Sequence, residues 1–187
     1  MIWLSIVVFV LLVAFLLFWA SWSISGGVYL KAVCKLDTRE KEVALTYDDG
    51  PEATTTPPLL EVLKKYDAKA CFFCIGQKAA QHPAIVRRIV AEGHAIGNHS
   101  YRHESTFPLY GKKKMKADME RTRHTLEEIT GRKVLLFRPP FGVTNPTVGS
   151  VTRQLGYVTV GWSLRSLDTQ AVTADKVLRR IKRKLKP

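Results

Sequence analysis

The sequence predicts an α/β fold in which a parallel sheet is flanked by helices and preceded by one long apolar helix. Three observations carry this. Segments rich in β-branched and aromatic residues alternate with segments of helical period, Gly and Pro punctuate the joints, and residues 2–20 are almost unbroken in their apolar character. With 187 residues and 46% hydrophobic content, the chain has room for one globular domain with a sizeable core.

The apolar run is the first element. As a helix rising about 1.5 Å per residue it reaches roughly 30 Å, the thickness of a hydrocarbon layer. No positive charge precedes it, and "FWASWSIS" is a poor cleavage site, so residues 1–24 read as a retained transmembrane anchor and not as a cleaved signal peptide. Trp3, Trp19 and Trp22 fall near its interfaces. Residues 25–42 read as a polar juxtamembrane linker with room to pack on the domain, and residues 43–187 as the domain itself.

Within that domain "VALTYDD" reads as a strand, "PPLLEVLKKYD" as a helix opened by proline, "KACFFCIG" as a strand and "HPAIVRRIVAEG" as a helix closed by glycine. "HAIGNHS" is a third strand. The long "KKKMKADMERTRHTLEEITG" is an amphipathic helix whose stripe of Met115, Met119, Leu126 and Ile129 is a packing face. "VLLFRPP" is a strand, "NPTVGSVTRQLG" a helix, "YVTVGWSL" a strand and "TADKVLRRIKRKL" a final basic helix. Strands alternating with helices imply right-handed crossovers and either an open doubly wound sheet or a barrel. Both architectures place their chemistry beyond the C-terminal ends of the strands.

A formal net charge of +13 suits an anionic neighbour such as lipid headgroups, an acidic glycan or nucleic acid, or a solvated helix surface beside a membrane. No nucleic-acid motif is present and no aromatics interleave with the basic runs, so nucleic acid is not an expected partner. Cys34, Cys71 and Cys74 form no disulfide framework. The CFFC spacing belongs to a buried-looking strand whose residues three apart face opposite ways, which favours small core thiols over a redox or zinc motif.

The groups capable of chemistry fall on one rim. Asp48 and Asp49 end the first strand, His99 the third and Arg138 the fourth, and Asp168 follows the fifth. His99 and His103 are four apart, so a helical turn after the strand would let both imidazoles meet one ion. With a carboxylate on the same rim, a two-His-one-Asp metal site with open positions follows. Adjacent strand residues face opposite ways, so both aspartates reach one site only if the strand breaks there, which Gly50-Pro51 provides. One of them can then bind the ion while the other accepts a proton from water. Arg138, held in a rigid Pro-Pro segment, would aim its fork at a fixed carboxylate.

"TYDDGP", "HSYRH", "RPPFG" and "VGWSLRSLD" together resemble the polysaccharide deacetylases, carbohydrate esterases that share the chitooligosaccharide deacetylase domain. The resemblance runs from about Val43 to the end of the chain. It implies a distorted seven-stranded (β/α)7 barrel and metal-dependent removal of N-acetyl groups from the amino sugars of a peptidoglycan- or chitin-like glycan. It also implies Asp48 as general base and Asp49, His99 and His103 as ligands of zinc or a similar divalent ion. Arg138 would hold the base, and the backbone N–H of Phe141 would help stabilise the oxyanion.

Three departures from the family pattern stand out. Tyr47 and Phe141 exchange the usual Phe and Tyr, and Thr169 replaces the tryptophan usual beside Asp168. The family's last strand carries a histidine that protonates the leaving amine and pairs with an aspartate matching Asp168, whereas this chain stops at "KRKLKP", so the barrel is expected to be incomplete at its C-terminus. His82, His94 and His124 do not look like substitutes. Either the sequence is a fragment or the protein lacks its acid, and in the second case the alternative to an enzyme is a catalytically silent glycan-binding or scaffold protein. The positive-inside rule, with Lys31, Lys35, Arg39 and Lys41 after the span, places the domain in the cytosol, while the implied substrate places it outside. The substrate is given the greater weight, and a single-pass membrane protein with an extracytoplasmic domain is expected.

Overall fold

The computed structural model describes residues 1–170 and 173–185. Pro187, the expected stop after the last helix, lies outside them. An apolar helix α1 (Ile2–Trp22) leads into the sheet strands β1 (Ala32–Val33), β2 (Leu45–Gly50), β3 (Ala70–Cys74), β4 (Ala95–Asn98), β5 (Leu136–Phe137) and β6 (Val158–Val160). Between and after them lie helices α2 (Thr56–Lys65), α3 (Gly76–Gln81), α4 (Pro83–Ala91), α5 (Lys112–Thr130), α6 (Pro146–Gln154) and α7 (Ala174–Lys184). All strand pairs are parallel, in the order β1-β6-β5-β4-β3-β2.

The helix boundaries follow local chemistry. Proline stands in the first turn of α2, α4 and α6, where its missing N–H costs nothing. The Asn145 side chain caps α6 by accepting from Val148 N, and Gly131, at φ 65°, closes α5 in the left-handed conformation a C-terminal stop requires. The expected stripe of α5 is buried through Met115, Met119 and Leu126, with Ile129 packed partly against the core. One core cluster, including Leu60, Phe72, Ile89 and Leu126, lies under α2, α4 and α5; a second, including Phe107, Met119, Phe137 and Val148, lies under α5 and α6.

The sheet curls as a barrel does, and Arg138 reports the curl. It follows β5, which two strands separate from β2, so in a flat sheet the two would stand roughly 14 Å apart at about 4.8 Å per strand. Yet Arg138 bonds Thr46 and Asp48 on β2 and also the carbonyls of Val160 and Gly161 at the end of β6. β1 and β2 are the two edges and are not paired with each other, so among the described residues the barrel has six strands and an open seam.

The strands are shorter than their apolar runs. Residues 134–140 supply only Leu136–Phe137, and residues 157–164 only Val158–Val160. The run that begins as β3 turns at Ile75 into the short helix α3. Within residues 25–42, Ala32–Val33 adds an edge strand beside β6. The helix α1, with mean hydropathy 2.9, is the one helix among the described residues long and apolar enough to cross a membrane, and it is exposed until Ala20.

Candidate metal centre and catalytic rim

The site begins with an irregularity in β2. Its register against β3 shifts between Tyr47 and Gly50, and Asp49 sits at φ 66°. A bulge with one left-handed residue cancels the strand's alternation, so the two neighbouring carboxylates serve one site. The break expected at Gly50-Pro51 thus falls one residue earlier, on Asp49 itself.

His99 follows β4 and is buried. Its Nδ1 lies 2.7 Å from the Arg138 carbonyl and its Nε2 3.5 Å from Asp49 Oδ1. The Nε2 of His103 lies 3.3 Å from the same oxygen, and the two imidazole centroids are 4.8 Å apart. The helical turn expected between these histidines is absent. Ser100 and His103 take φ 65° and 54°, and the loop is pinned instead by Ser100 N to Asn98 Oδ1, His103 N to Ser100 Oγ and Tyr101 N to Asp118 Oδ1. Asn98, fully buried, secures the loop by donating to Met119 O and to the Tyr157 hydroxyl at 2.8 and 2.7 Å.

The ligand atoms of Asp49, His99 and His103 all lie within 4.8 Å of one another. Their chemistry suits a cation. Arg138 O can only accept, so a neutral His99 keeps its proton on Nδ1 and turns the Nε2 lone pair toward Asp49. A lone pair and a carboxylate facing each other repel unless a positive charge lies between them. When no ion lies between them, a hydrogen bond from His99 Nε2–H, and then the His99 charge, hold the Asp49 carboxyl below its ordinary range, against the opposing effect of burial. Burial, followed by the nearby His99, lowers the His103 pKa. An ionised Asp49 and a His103 that resists protonation favour the deprotonated ligands a divalent ion needs.

Arg138 is 2% exposed. Its Nη1 donates to Asp48 Oδ1 at 2.7 Å and Thr46 Oγ1 at 2.9 Å, its Nε to Val160 O at 3.1 Å and its Nη2 to Gly161 O at 2.8 Å. The guanidinium also lies 4.2 Å from the Phe73 centroid and 5.5 Å from that of Trp162. Pro139 and Pro140 carry the chain away, and Phe141 (φ 61°) and Gly142 (φ 70°) reverse it, bringing the Phe141 ring 4.6 Å from His103. Gly142 is required by packing as well as conformation, since a Cβ there would meet the Trp162 ring at 2.3 Å.

The structure thus brings together Asp48, Asp49, His99, His103, Arg138 and Phe141. Asp168 stands apart in an exposed turn, where its carboxylate accepts from the Ser166 hydroxyl at 2.5 Å; among the described residues it makes no hydrogen bond or ion pair with the others. His82 flanks α4, His94 accepts from Ala70 N at the opposite end of the sheet, and His124 pairs with Glu128 on the surface of α5. Sequence reasoning missed Thr46, Phe73, Asn98 and Trp162. Thr46 had a readable signal, because it shares a strand face with Asp48 two residues on. Trp162 had none, since its contacts come from a loop twenty residues earlier. Cys71 and Cys74 are free thiols on β3, pushed up to about 11 and about 12 by burial.

A profile of the polysaccharide deacetylase family matches residues 35–160. The chain is 35% identical over 136 residues to a peptidoglycan-N-acetylglucosamine deacetylase of Bacillus cereus, covering 73% of this chain and 49% of that protein. It therefore spans about half that relative's length. Among solved structures it resembles the peptidoglycan deacetylase PdaC from Bacillus subtilis, with a TM-score of 0.73 and 30% identity over 80% of this chain and 72% of that one. A CE4 family pseudoenzyme from Bacillus anthracis matches with the same TM-score of 0.73 at 29% identity, over 78% of this chain and 52% of that one. A family profile spanning two thirds of the chain, and the shared sheet beneath it, agree with the motifs gathered on the rim: the chain belongs to the polysaccharide deacetylase family.

Proposed function

We propose that the chain carries the catalytic domain of a metal-dependent hydrolase that removes N-acetyl groups from amino sugars of a peptidoglycan- or chitin-like polysaccharide. The observation that carries this reading is the convergence of Asp49, His99 and His103 beside an Asp48 held by Arg138. Two imidazole nitrogens and one carboxylate oxygen suit zinc. α1 anchors the protein as a single membrane pass, with the domain on the outer side, where such polysaccharides lie.

An amide carbonyl is a poor electrophile and water a poor nucleophile. A divalent ion held by Asp49, His99 and His103 would supply Lewis acidity, polarising the carbonyl and lowering the pKa of water toward about 7. Asp48 takes the proton of the attacking water. Arg138 occupies its Oδ1 and so leaves Oδ2 as the acceptor, fixed in direction by a guanidinium that four other groups hold in place. As negative charge grows on the substrate oxygen, the Phe141 N–H donates to it, a bond worth more in the transition state than in the ground state. Asp168 matches the aspartate that in the family pairs with the acid for the leaving amine; no histidine stands beside it among the described residues, so the amine takes its proton from solvent water.

One observation favours the second reading, a catalytically silent glycan-binding or scaffold protein: Asp168 faces no histidine among the described residues. Metal content and acetate release separate the two. The full chain is expected to hold about one divalent ion, to lose it on His99→Ala, and to release acetate from a chitin oligomer or peptidoglycan. Full occupancy in the His99→Ala protein would overturn the ligand assignment, and a loaded wild-type chain that releases no acetate would establish the silent reading.

A further inference from the structure

The end of α1 is fastened to the catalytic rim. Thr144, buried in the loop after β5 and three residues beyond Phe141, donates its N–H to Ser21 O at 2.8 Å, and its hydroxyl lies 3.3 Å from Ala20 O and 3.4 Å from Ser21 O. Ile24 is buried against the loop after β6, where a Cβ built on Gly161 would come 3.3 Å from Ile24 Cγ2 and 2.5 Å from Cys34 Sγ. The chain then passes α6, with Arg153 Nη1 3.2 Å from Tyr29 O, and returns as β1 parallel to β6. The apolar helix therefore meets the domain at the C-terminal ends of the strands, on the two loops that carry Phe141 and Trp162. Three residues span at most about 11 Å, so Phe141 stands near the level at which α1 leaves the bilayer.

The surface at this end has the chemistry of an interface. Leu109, next to the Pro108 carbonyl that Asn145 Nδ2 bonds, is 83% exposed, and Trp22 and Phe141 are exposed as well. Lys112, Lys113 and Lys114 open α5 at the same end with no acidic residue in its first turn. Lys114 has Glu104 at 3.9 Å, which leaves Lys112 and Lys113 opposing the helix dipole, a local cost that anionic headgroups would offset.

The geometry points to a catalytic rim that faces the bilayer from which α1 emerges, and to a substrate met at that surface: an N-acetylated amino sugar joined to a membrane lipid, in preference to a polymer strand in free solution. This inference rests on α1 as a retained anchor and deepens the deacetylase reading by naming the form in which the sugar arrives. It also explains why the anchor is bonded to the rim loops and not left on a free tether.

Two measurements on the full chain in lipid vesicles test it. α5 runs from the rim to the far end over about 28 Å at 1.5 Å per residue, so a nitroxide at Leu109→Cys and one at Asp67→Cys, at the opposite ends of the domain, differ widely in height. With Cys34→Ser and Cys71→Ser, and the buried Cys74 left in place, nickel-chelating lipids are expected to relax the Leu109→Cys label several-fold more than the Asp67→Cys label. Equal relaxation of the two labels would overturn the inference while leaving the anchor intact; a chain that does not stay with the vesicles would overturn both. In the second measurement, acetate release from a synthetic glycolipid bearing N-acetylglucosamine is expected to exceed release from a soluble chitin tetramer at least several-fold, with the preference lost in detergent. A chain that favours the soluble tetramer in vesicles would overturn the choice of substrate, and one that cleaves neither would count against the hydrolase itself, with the label result still deciding the orientation.

Discussion

Arg138 offers the sharpest test of how the site is built. Replacing it with Met keeps the length and apolar stem but removes the fork that serves Asp48, Thr46, Val160 O and Gly161 O. Breaking a buried pair by deleting one partner typically costs about 3–5 kcal/mol. Against a total stability of about 5–15 kcal/mol, that is a large share. Arg138→Lys keeps the charge but offers one nitrogen in place of three, so at least one carbonyl loses its donor, at about 1–3 kcal/mol. Urea unfolding of the full chain in micelles, followed by tryptophan fluorescence, should give midpoints in the order wild type, Lys variant, Met variant. His99 bonds the backbone carbonyl of residue 138 and not its side chain, so folded Arg138→Met protein should still bind zinc while acetate release falls. An unchanged midpoint in the Met variant would refute the account of Arg138 as the group that ties β2, β5 and β6 together.

Other perturbations follow from the same structure. Gly142→Ala places a Cβ 2.3 Å from the Trp162 ring at φ 70°, and the resulting overpacking should lower stability by about 1–3 kcal/mol; a neutral effect on the unfolding midpoint would contradict it. Leu126→Ala, at a fully buried position on α5, should cost about 2–5 kcal/mol by the same assay, whereas exposed Glu128→Ala should change little. Burial raises the Cys71 and Cys74 thiols to about 11 and about 12, so at pH 8 only about one in a thousand and one in ten thousand are thiolate. Iodoacetamide labelling read by mass spectrometry should therefore mark partly exposed Cys34 first, and rapid modification of Cys74 in the folded chain would refute its placement.

Much of this protein could be read from local pattern. Gly and Pro at the joints, with apolar runs of strand and helix period between them, located β2 to β6, the long helix α5 and the apolar helix α1. The same punctuation put Asp48, His99 and Arg138 at strand ends, where the topology of a parallel sheet gathers chemistry on one rim. Such signals are legible because they depend on residues a few positions apart. β1 left no such trace, because two residues, Ala32 and Val33, are too few to show a period, and only pairing with β6 makes them a strand.

What the sequence determined is which side chains are available and at which end of the sheet they stand. The tertiary structure decided how they meet. The left-handed turn at Asp49, the non-helical approach of His103 to His99, the Arg138 bridge across the curled sheet and the seating of α1 on Thr144 all depend on contacts between distant segments. Spacing along the chain cannot encode such contacts, because a strained dihedral or a buried charge is held only when the fold supplies its partners from elsewhere.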